Sequence, residues 1–268
     1  MILTGSAQFY AIVGNPVAQV ASPGIFNLRF HNANKNAVLI PMDVEKSGMP
    51  SLLEFFRNTS NFKGIIITLP YKEYVVDLLD EVSAISQNLN AVNTIFIKED
   101  KLVGTMTDGQ GMVDAILKKN QIIKGKKVLV AGCGGAGRAI AWALAENGVS
   151  EITLQEAPSE IEKANQLGDI LKLNFPHLHI GIKQSANISQ ADILVNATRL
   201  GMNDDDPMVF SQELINKAEL VADVITSPSN SLSKILTCAN NSGVLAVSGH
   251  EMAAGQSKLI ERLFGIEY

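Results

Sequence analysis

The chain of 268 residues has only two cysteines, Cys133 and Cys238, and only four histidines. Two cysteines far apart in the sequence are too few for a zinc cluster or a disulfide framework, and their scarcity is typical of a reducing compartment. His177 and His179 lie close together, but no acidic or cysteine residue accompanies them, so we expect surface histidines there. The sequence therefore predicts a cytoplasmic protein without a bound metal ion.

The sequence also lacks any long run of lysine or arginine, and its formal net charge is −5. Such a chain is not attracted electrostatically to nucleic acid or to an anionic membrane. Residues 1–28 carry no charge, but Gly5, Gly14, Pro16 and Pro23 interrupt them, so we expect a strand and turns and no signal peptide or membrane segment. We expect a small-molecule partner, no nucleic acid, no membrane, and a monomer or homodimer.

Short runs of β-branched and other apolar residues alternate with helical patterns through most of the chain. In the first half we predict strands at 9–13, 37–41, 64–68 and 92–97 and helices at 49–58 and 73–86. A second series begins with the strand "KKVLVAG" and continues with helices at 135–147 and 160–174 and strands at "EITLQE", "HIGIK", "ADILVNA" and "LVADVI". This alternation predicts an α/β fold with a doubly wound parallel sheet.

The length of 268 residues is sufficient for two domains. No Pro-, Gly- or Ser-rich linker separates the halves, so we place the boundary where a strand pattern gives way to the helical pattern of residues 109–119. This predicts an N-terminal α/β domain, residues 1–107, and a second domain, residues 108–248. The last helical pattern, 252–264, lies in a segment, 249–268, that we expect to pack back on the first domain, although periodicity alone does not place it.

A glycine-rich turn lies between a strand and a helix in "VLVAGCGGAGRAIAWALAENG". Gly132 permits a tight turn, Gly134 lets the backbone approach a pyrophosphate, and Gly137 allows the helix to pack closely on the strand. The helix N-terminus adds N–H groups and a positive dipole end. We therefore assign the whole turn, including Gly135 and Ala136, to dinucleotide binding, the alternative being a plain turn.

The next strand ends in Glu156, close to the offset of about 20 residues at which an acid accepts hydrogen bonds from a ribose diol. No arginine or lysine stands at residues 157–159 to bind a 2′-phosphate. The pattern therefore favours NAD, with NADP as the alternative. Two other interpretations stay open: Glu156 as a solvated charge at a strand end, and a methyltransferase, which also combines a glycine-rich turn with an acidic strand end.

Polar residues interrupt apolar sequence in the first half of the chain. Thr68 and Lys72 follow a strand in "GIIITLPYKE", where open α/β sheets bind ligands, and Asn93 and Asp108 stand in "NAVNT" and "GTMTDGQG". Side chains at strand ends can converge on one cleft. Singly, each has a structural explanation: Lys72 as a solvated lysine at a helix start, Asp108 as an N-cap and Asn93 as a turn residue.

The order of these motifs resembles the shikimate dehydrogenase family, including its quinate-using branches. The family pattern runs G-N-P, S-x-S-P, N-V-T-x-P-x-K, A-V-N-T, N-T-D-x-x-G, the glycine turn, N-A-T-x-x-G-M and G-x-x-M-x-x-x-Q. This chain has "GNPVAQVASP", "IITLPYK", "AVNT", "MTDGQG", "GCGGAG", "NATRLGM" and "GHEMAAGQ" in the same order. The matches span almost the whole chain.

The resemblance implies a two-domain oxidoreductase with an N-terminal substrate domain and a Rossmann-like cofactor domain. It also implies that Lys72 and Asp108 are the catalytic pair. When a hydride leaves an alcohol carbon for the nicotinamide, the hydroxyl proton must go to a positioned base, and it must return in the reduction. A lysine can exchange this proton while a carboxylate orients both the lysine and the hydroxyl.

The resemblance further implies which residues hold the ligands. Thr68, Asn93 and Gln256 would hold ring hydroxyls and Ser22 a carboxylate, although Thr68 could equally be a strand-end hydroxyl and Gln256 part of a helix surface. The residues implied beside the cofactor are Asn196, Ala197, Thr198, Met202 and Met252. Apolar packing alone would explain both methionines.

The chain departs from the family pattern at several positions. Val20 stands in place of the first serine of S-x-S-P, Ile66 in place of asparagine, and Thr226 where tyrosine is usual. Val20 and Thr226 fall at the carboxylate end of the substrate that the family implies, so that end loses hydrogen-bonding capacity, which is costly for a buried carboxylate. Glu156 replaces a segment that reads asparagine-arginine-threonine in NADP-using members.

Together, these observations predict an oxidoreductase that transfers a hydride between NAD and a shikimate- or quinate-like cyclic hydroxy acid, with an altered substrate pocket. A non-catalytic nucleotide-binding or regulatory relative would explain the glycine turn but leaves Lys72 and Asp108 without a role. A methyltransferase would explain the turn and Glu156 but none of the first domain.

Overall fold

The secondary structure elements belong to two units, which a computed structural model describes for residues 2–183, 190–203, 205–226 and 231–267. The first unit comprises Met1–Thr107 and Gln256–Tyr268, and the second comprises Asp108–Gly255. Each unit has its own sheet of six strands. We therefore describe each unit by itself.

The first unit is built on a mixed sheet with the strand order β2-β1-β3-β5-β6-β4. Its elements are β1 (Gln8–Gly14), α1 (Ser22–Asn32), β2 (Ala37–Asp43), a 3-10 helix (Lys46–Gly48), α2 (Met49–Arg57), β3 (Phe62–Ile67), a 3-10 helix (Tyr74–Leu78), β4 (Glu81–Val82), α3 (Ala84–Leu89), β5 (Thr94–Lys98) and β6 (Lys101–Thr105). The strands β2, β1 and β3 are parallel, whereas β5 is antiparallel to both β3 and β6.

The first unit is therefore α/β as predicted, but its sheet is mixed and not parallel throughout. β5 and β6 form a hairpin whose two loop residues, Glu99 and Asp100, have φ values of 51° and 62°. Two-residue hairpin loops need positive φ and favour Asn-Gly or Asp-Gly. Because the loop here contains no glycine or asparagine, its sequence gives no hairpin signal.

Two further predictions for the first unit are wrong. Residues 73–86 do not form one helix, because the chain leaves the helical path at Asp80 and pairs with β6. The Asp80 N–H donates to the Leu102 carbonyl (3.1 Å), and the Asp80 carboxylate accepts the Leu102 N–H (2.7 Å). The uncharged stretch 1–28 contains more than a strand and turns, because α1 begins at Ser22 with Pro23 in its first turn, where proline is tolerated.

Alternation along the strands gives the first sheet an apolar core on each face. One face carries Tyr10 and Ile66, which pack with Phe30 of α1 and with Ile260 and Phe264 from the C-terminal segment. A Cβ on Gly64 would lie 2.4 Å from the Phe264 ring, so the glycine lets the ring approach the strand closely. The other face, with Ala11, Val13 and Ile65, is covered by α2.

The second unit has a parallel sheet with the strand order β12-β11-β10-β7-β8-β9. Its elements are α4 (Asp108–Leu117), β7 (Lys127–Ala131), α5 (Gly135–Glu146), β8 (Glu151–Gln155), a 3-10 helix (Pro158–Glu160), α6 (Ile161–Asn174), β9 (His179–Lys183), β10 (Ile193–Asn196), α7 (Gln212–Lys217), β11 (Leu220–Asp223), α8 (Lys234–Asn241), β12 (Leu245–Val247) and α9 (Gly249–Leu263), whose last residues belong to the first unit.

This parallel sheet confirms the doubly wound fold that the sequence predicts. The strand order reverses between β7 and β10, and open α/β sheets bind ligands beyond the carboxyl ends of the strands at such a reversal. The residues that follow these two strands, Gly132 and Ala197, are therefore expected beside a ligand. In the described ranges, every helix is too short or too polar to cross a bilayer.

Candidate functional site

A buried hydrogen-bond network at one edge of the first unit joins Asn93, Thr107 and Gln256, which are 1%, 0% and 8% exposed. The Asn93 amide nitrogen donates to Thr107 Oγ1 (3.0 Å) and to Gln256 Oε1 (3.1 Å), and Asn93 Oδ1 accepts the Thr107 N–H (2.8 Å). Thr107 Oγ1 also donates to Gln256 Oε1 (2.8 Å). Two predicted residues, Asn93 and Gln256, are thus brought together, and Thr107 joins them.

Thr107 was not predicted as a site residue. Its position beside Asp108 in "MTDGQG" is the local signal that could have found it. Its two partners lie 14 and 149 residues away in the chain, so the sequence pattern alone does not reveal its role.

Backbone hydrogen bonds place Thr68 and Lys72 next to this network. The Lys72 carbonyl accepts the N–H of Val92 (2.8 Å), the residue before Asn93, and the Asn93 carbonyl accepts the N–H of Ile67 (2.7 Å), the residue before Thr68. A Cβ on Gly14 would lie 2.4 Å from Thr68 Cγ2, so the glycine lets the end of β1 approach Thr68. The ends of β1, β3 and β5 therefore carry one group of polar residues.

Three polar groups of the first unit have hydrogen-bonding capacity that the described residues do not use. Ser22 is 6% exposed, and its hydroxyl does not cap α1. Within residues 2–183, 190–203, 205–226 and 231–267, no hydrogen bond is found for the hydroxyls of Ser22 and Thr68 or for the Gln256 amide nitrogen. Hydroxyls and an amide N–H can bind the hydroxyl or carboxylate oxygens of a small molecule.

The two apolar residues of the first unit that replace polar residues of the family pattern, Val20 and Ile66, belong to one core cluster. Ile66 is 3% exposed in the cluster with Tyr10, and Val20 packs against the same cluster. Their side chains therefore contribute apolar contacts where the family pattern has hydrogen-bonding groups. Thr226 lies in the second unit, three residues beyond the end of β11, and is half-buried.

The glycine turn of the second unit depends on close contacts that a side chain would prevent. Gly132 has a φ of +90°, and its Cβ would lie 2.8 Å from the Ala197 carbonyl. A Cβ on Gly137 would lie 1.8 Å from the Gly132 carbonyl oxygen, whereas one on Gly134 would meet no protein atom within 4 Å. The protein packing requires Gly132 and Gly137. The open space at Gly134 fits a ligand that approaches the backbone.

The start of α5 provides backbone donors beside that open space. Gly134 is the N-cap and supplies no side-chain cap, so the N–H groups of Gly135 and Ala136 are free of a capping side chain. Uncapped N–H groups at a helix N-terminus bind phosphate oxygens. Arg138, buried in the first turn, donates from Nε to the Cys133 carbonyl (3.1 Å) and holds the turn in place. The turn therefore fits the pyrophosphate of a dinucleotide.

Glu156 lies directly after β8 and is hydrogen-bonded to the glycine turn. One carboxylate oxygen accepts the Cys133 N–H (2.7 Å) and the other accepts the N–H of Ala157 (2.9 Å). Burial raises the pKa of the Cys133 thiol to about 12, and the Glu156 charge adds to this rise. Cys133 is therefore protonated and unreactive at neutral pH, and Glu156 is attached to the turn by a charge-assisted hydrogen bond.

The segment after β10 is organised by Asn196. Its amide nitrogen donates to the Leu200 carbonyl (3.0 Å), and its Oδ1 accepts the N–H (3.0 Å) and the hydroxyl (2.7 Å) of Thr198. Because Ala197 touches Gly132, this segment and the glycine turn adjoin. Met202 is 41% exposed and Met252 is 6% exposed.

Asp223 is a buried acid that the sequence analysis missed. Its carboxylate accepts hydrogen bonds from the Asn196 amide (3.1 Å), the Ile225 N–H (3.0 Å) and the Ser233 hydroxyl (2.6 Å). Burial raises the pKa of Asp223 to about 6, although these hydrogen bonds act in the opposite direction. Its position at the end of the apolar run "LVADVI" was the available signal. Asp223 holds Asn196 and hence the segment beside the glycine turn.

Asp108 is the first residue of α4 and is 3% exposed. A Cβ on the next residue, Gly109, would lie 2.1 Å from the Ala139 carbonyl, so the start of α4 packs directly on the first turns of α5. The second unit thus fixes Asp108 relative to the glycine turn. Lys72, its predicted catalytic partner, belongs to the first unit.

Comparison with known proteins shows the family to which the chain belongs. A family model described as the shikimate dehydrogenase substrate binding domain matches residues 12–95. The chain is 34% identical to a shikimate dehydrogenase (NADP(+)) of Pyrococcus furiosus over an alignment of 272 positions, which covers 98% of this chain and 92% of the relative. It is 31% identical to the protein of that name from Alkaliphilus oremlandii over an alignment of 271 positions, which covers 98% of this chain and 93% of the relative. The chain belongs to the shikimate dehydrogenase family.

Solved structures of similar proteins share the fold. The shikimate dehydrogenase of Aquifex aeolicus is 27% identical, with a TM-score of 0.83 over 100% of this chain and 96% of the other. A 5-ketofructose reductase of a Gluconobacter species is 26% identical, with a TM-score of 0.82 over 97% and 93% of the chains. The predicted fold and the predicted class of NAD(P)-dependent oxidoreductase are confirmed. The names of the relatives specify NADP(+), which counts against the prediction that NAD is preferred.

Two alanine substitutions separate packing from ligand binding in the shikimate dehydrogenase-like glycine turn. We expect Gly137→Ala to lower the free energy of unfolding by about 1–3 kcal/mol, because its Cβ would overlap the Gly132 carbonyl. Gly134→Ala, whose Cβ meets no protein atom, should cost less than about 1 kcal/mol but weaken dinucleotide binding at least about tenfold. Urea denaturation and titration calorimetry measure the two effects. A Gly134→Ala variant that binds dinucleotide as tightly as the native chain would contradict this assignment.

The ionisation of Asp223 predicts a pH dependence of stability. Burial raises the pKa of Asp223 from 3.8 to about 6. Between these two pH values, the folded protein holds a proton that the unfolded chain has released. The stability that this proton contributes is lost as the pH rises through about 6. From about pH 5 to about pH 8, the unfolding free energy of the native chain should fall by about 1.5 kcal/mol relative to Asp223→Asn. Urea denaturation of both proteins at the two pH values measures this. A difference between them that does not vary with pH would rule it out.

Proposed function

We propose that the chain transfers a hydride between a nicotinamide dinucleotide and a shikimate- or quinate-like cyclic hydroxy acid, with Lys72 and Asp108 as the catalytic pair. Membership of the shikimate dehydrogenase family supports the reaction class. The observation that carries the proposal is the buried network of Asn93, Thr107 and Gln256 beside Lys72, because it presents hydroxyl-binding groups next to a lysine that can exchange a proton.

In this proposal, Lys72 exchanges the proton of the reacting hydroxyl. The bound nicotinamide supplies the hydride chemistry. Lys72 takes the hydroxyl proton when the alcohol is oxidised and returns it when the ketone is reduced, and the Asp108 carboxylate orients the lysine and the hydroxyl. The close packing of Gly109 on Ala139 limits the movement of Asp108 and so favours a fixed orientation of this carboxylate.

The substrate would be held by residues of the first unit. Thr68 and the Gln256 amide nitrogen have hydrogen-bonding capacity that the described residues do not use, and Asn93 and Thr107 fix the Gln256 side chain. We assign these residues to ring hydroxyls and Ser22 to the carboxylate end.

We also propose that the carboxylate end of the substrate is bound less strongly than the family pattern implies. Val20 packs against an apolar cluster and has no hydrogen-bonding group, and Thr226 has a shorter side chain than the usual tyrosine. A 5-ketofructose reductase has a similar structure, which supports the proposal that this fold can accept a keto sugar as well as a hydroxy acid. A ring with an altered or weakly held carboxylate is therefore the proposed substrate class.

For the cofactor, we propose that the glycine turn, from Gly132 to Gly137, and the start of α5 hold the pyrophosphate, and that Glu156 accepts hydrogen bonds from the adenosine ribose. Asn196, Ala197, Thr198, Met202 and Met252 complete the proposed cofactor contacts. The names of the relatives favour NADP, whereas the Glu156 carboxylate, followed by Ala157, Pro158 and Ser159, would repel a 2′-phosphate. We propose a preference for NAD, because Glu156 is a residue of this chain, whereas the names describe its relatives.

A lysine variant tests the reaction. With shikimate, quinate and ring analogues without a carboxylate offered in turn, we expect Lys72→Met to lower the turnover of whichever substrate reacts by about 10²- to 10⁴-fold, because the proton has no acceptor. Dinucleotide binding, measured by titration calorimetry, should stay unchanged. Lys63→Ala, which removes an exposed lysine of β3, is the matched control and should retain full turnover. Unaltered turnover in Lys72→Met would remove Lys72 from the mechanism.

A charge-neutral variant tests the cofactor preference. Glu156→Gln should shift the ratio of kcat/KM for NADP to that for NAD roughly tenfold or more toward NADP. The value for NADP should rise because the carboxylate no longer repels the 2′-phosphate, and the value for NAD should fall because the amide has only one acceptor oxygen. Glu160→Gln removes an exposed carboxylate four residues further along and should change neither value. If the native chain uses NADP better than NAD, the preference follows its relatives and our assignment of Glu156 fails.

A further inference from the structure

An ion pair with a buried carboxylate and a half-buried guanidinium joins α1 to the end of α9 within the first unit. Arg29 Nη1 lies 3.0 Å from Glu261 Oε1 and also donates to the Ser257 hydroxyl. The Glu261 side chain is only 7% exposed and Ser257 is 1% exposed, whereas Arg29 retains 31%. Two polar residues one helical turn apart on α9 thus bind the same guanidinium of α1.

Both helices carry residues that we have assigned to the substrate. Ser22 begins α1 and lies about two helical turns before Arg29. Gln256, whose side chain bonds to Asn93 and Thr107, directly precedes Ser257 on α9. The ion pair therefore connects the helix of one assigned substrate donor to the helix of another.

The apolar contacts between the same helices cannot fix their register by themselves. Phe26 and Phe30 of α1 pack in one cluster with Ile260 and Phe264. Apolar attraction is proportional to the area removed from water and has no direction, so it resists separation of the helices more than rotation or sliding. Charge-assisted hydrogen bonds are directional, and they specify the angle at which the helices meet.

Stability alone does not explain an ion pair whose carboxylate is buried. Removing the Glu261 charge from water is costly, and well-packed apolar residues in place of a buried pair are often as stable or more stable. Specifying one arrangement among several apolar packings is a role that such a pair can fill.

We infer that Arg29 is a positioning residue: its bonds to Ser257 and Glu261 fix the rotation and register of α9 on α1, and so fix the Gln256 amide relative to Asn93, Thr107 and Ser22. This inference rests on the proposed function in so far as Ser22 and Gln256 bind the substrate. Its structural part, the control of Gln256 by Arg29, can be measured without any substrate.

The test uses the double variant Arg29→Met, Glu261→Leu in the full-length protein. Apolar side chains of similar volume replace the pair, so we expect the variant to fold. In NMR spectra of isotope-labelled protein, the side-chain amide resonances of Gln256 and Asn93 should shift, because their hydrogen bonds change when α9 rotates. The control Arg57→Met breaks another ion pair of the same unit, Arg57 to Asp80 at 2.8 Å, and should leave both resonances in place.

Kinetics add a measurement that a purely stabilising pair would not affect. We expect the KM for the hydroxy acid to rise about fivefold in the double variant, the order of one lost hydrogen bond, while dinucleotide affinity stays the same. The same exchange made in a Gln256→Ala background should have no further effect on KM, since the amide that Arg29 positions is already gone. An equal rise in both backgrounds would overturn the inference.

The outcomes distinguish this inference from the proposed function. If the native chain turns over none of the substrates, the proposed function fails, but the NMR shifts still decide whether Arg29 positions Gln256. If the Gln256 and Asn93 resonances do not move, the inference is wrong even when the enzyme is active. If the double variant does not fold, Glu261→Gln takes its place. This variant keeps the shape and an acceptor oxygen but removes the charge, and its spectra are compared with those of the native chain by the same criteria.

Discussion

The contact between Gly137 and the Gly132 carbonyl is the constraint from which the ligand-binding end of the second unit follows. Because no Cβ fits between them, α5 begins close against the end of β7, and its N-terminus carries no side-chain cap. Gly109 on α4 then packs on the Ala139 carbonyl of α5, which fixes Asp108. The position of Asp108, the carboxylate of the proposed catalytic pair, thus depends on the same turn that is assigned to the pyrophosphate.

The turn is also supported from two neighbouring strands. Glu156, after β8, accepts the Cys133 N–H, and Asn196, at the end of β10, holds the segment that touches Gly132. Asn196 depends in turn on the buried Asp223 carboxylate. Each of these polar groups has partners that compensate for its removal from water, which is the condition for a rigid arrangement in a buried place.

Local sequence patterns were sufficient for the fold class and for most strands, but not for features that depend on distant partners. The glycine turn was predictable because its function requires fixed spacing within a few residues. The hairpin at Glu99 and Asp100 was not, since its residues adopt positive φ without the usual glycine. Thr107, Asp223 and the Arg29–Glu261 pair were missed because their roles come from residues up to 232 positions apart that only folding brings together.

Two of the departures of this chain from the family pattern, Val20 and Ile66, lie in the same apolar cluster of the first unit. Val20 and Ile66 pack with Tyr10 and Phe30, and the C-terminal segment covers that cluster through Ile260 and Phe264. At positions 20 and 66, the family pattern has polar groups, and this chain has apolar contacts instead. The ion pair of Arg29 and Glu261 joins α1 and α9, the two helices that pack in this cluster. A change of substrate in this chain would therefore involve the packing of α1 and α9 as well as the side chains that touch the ligand.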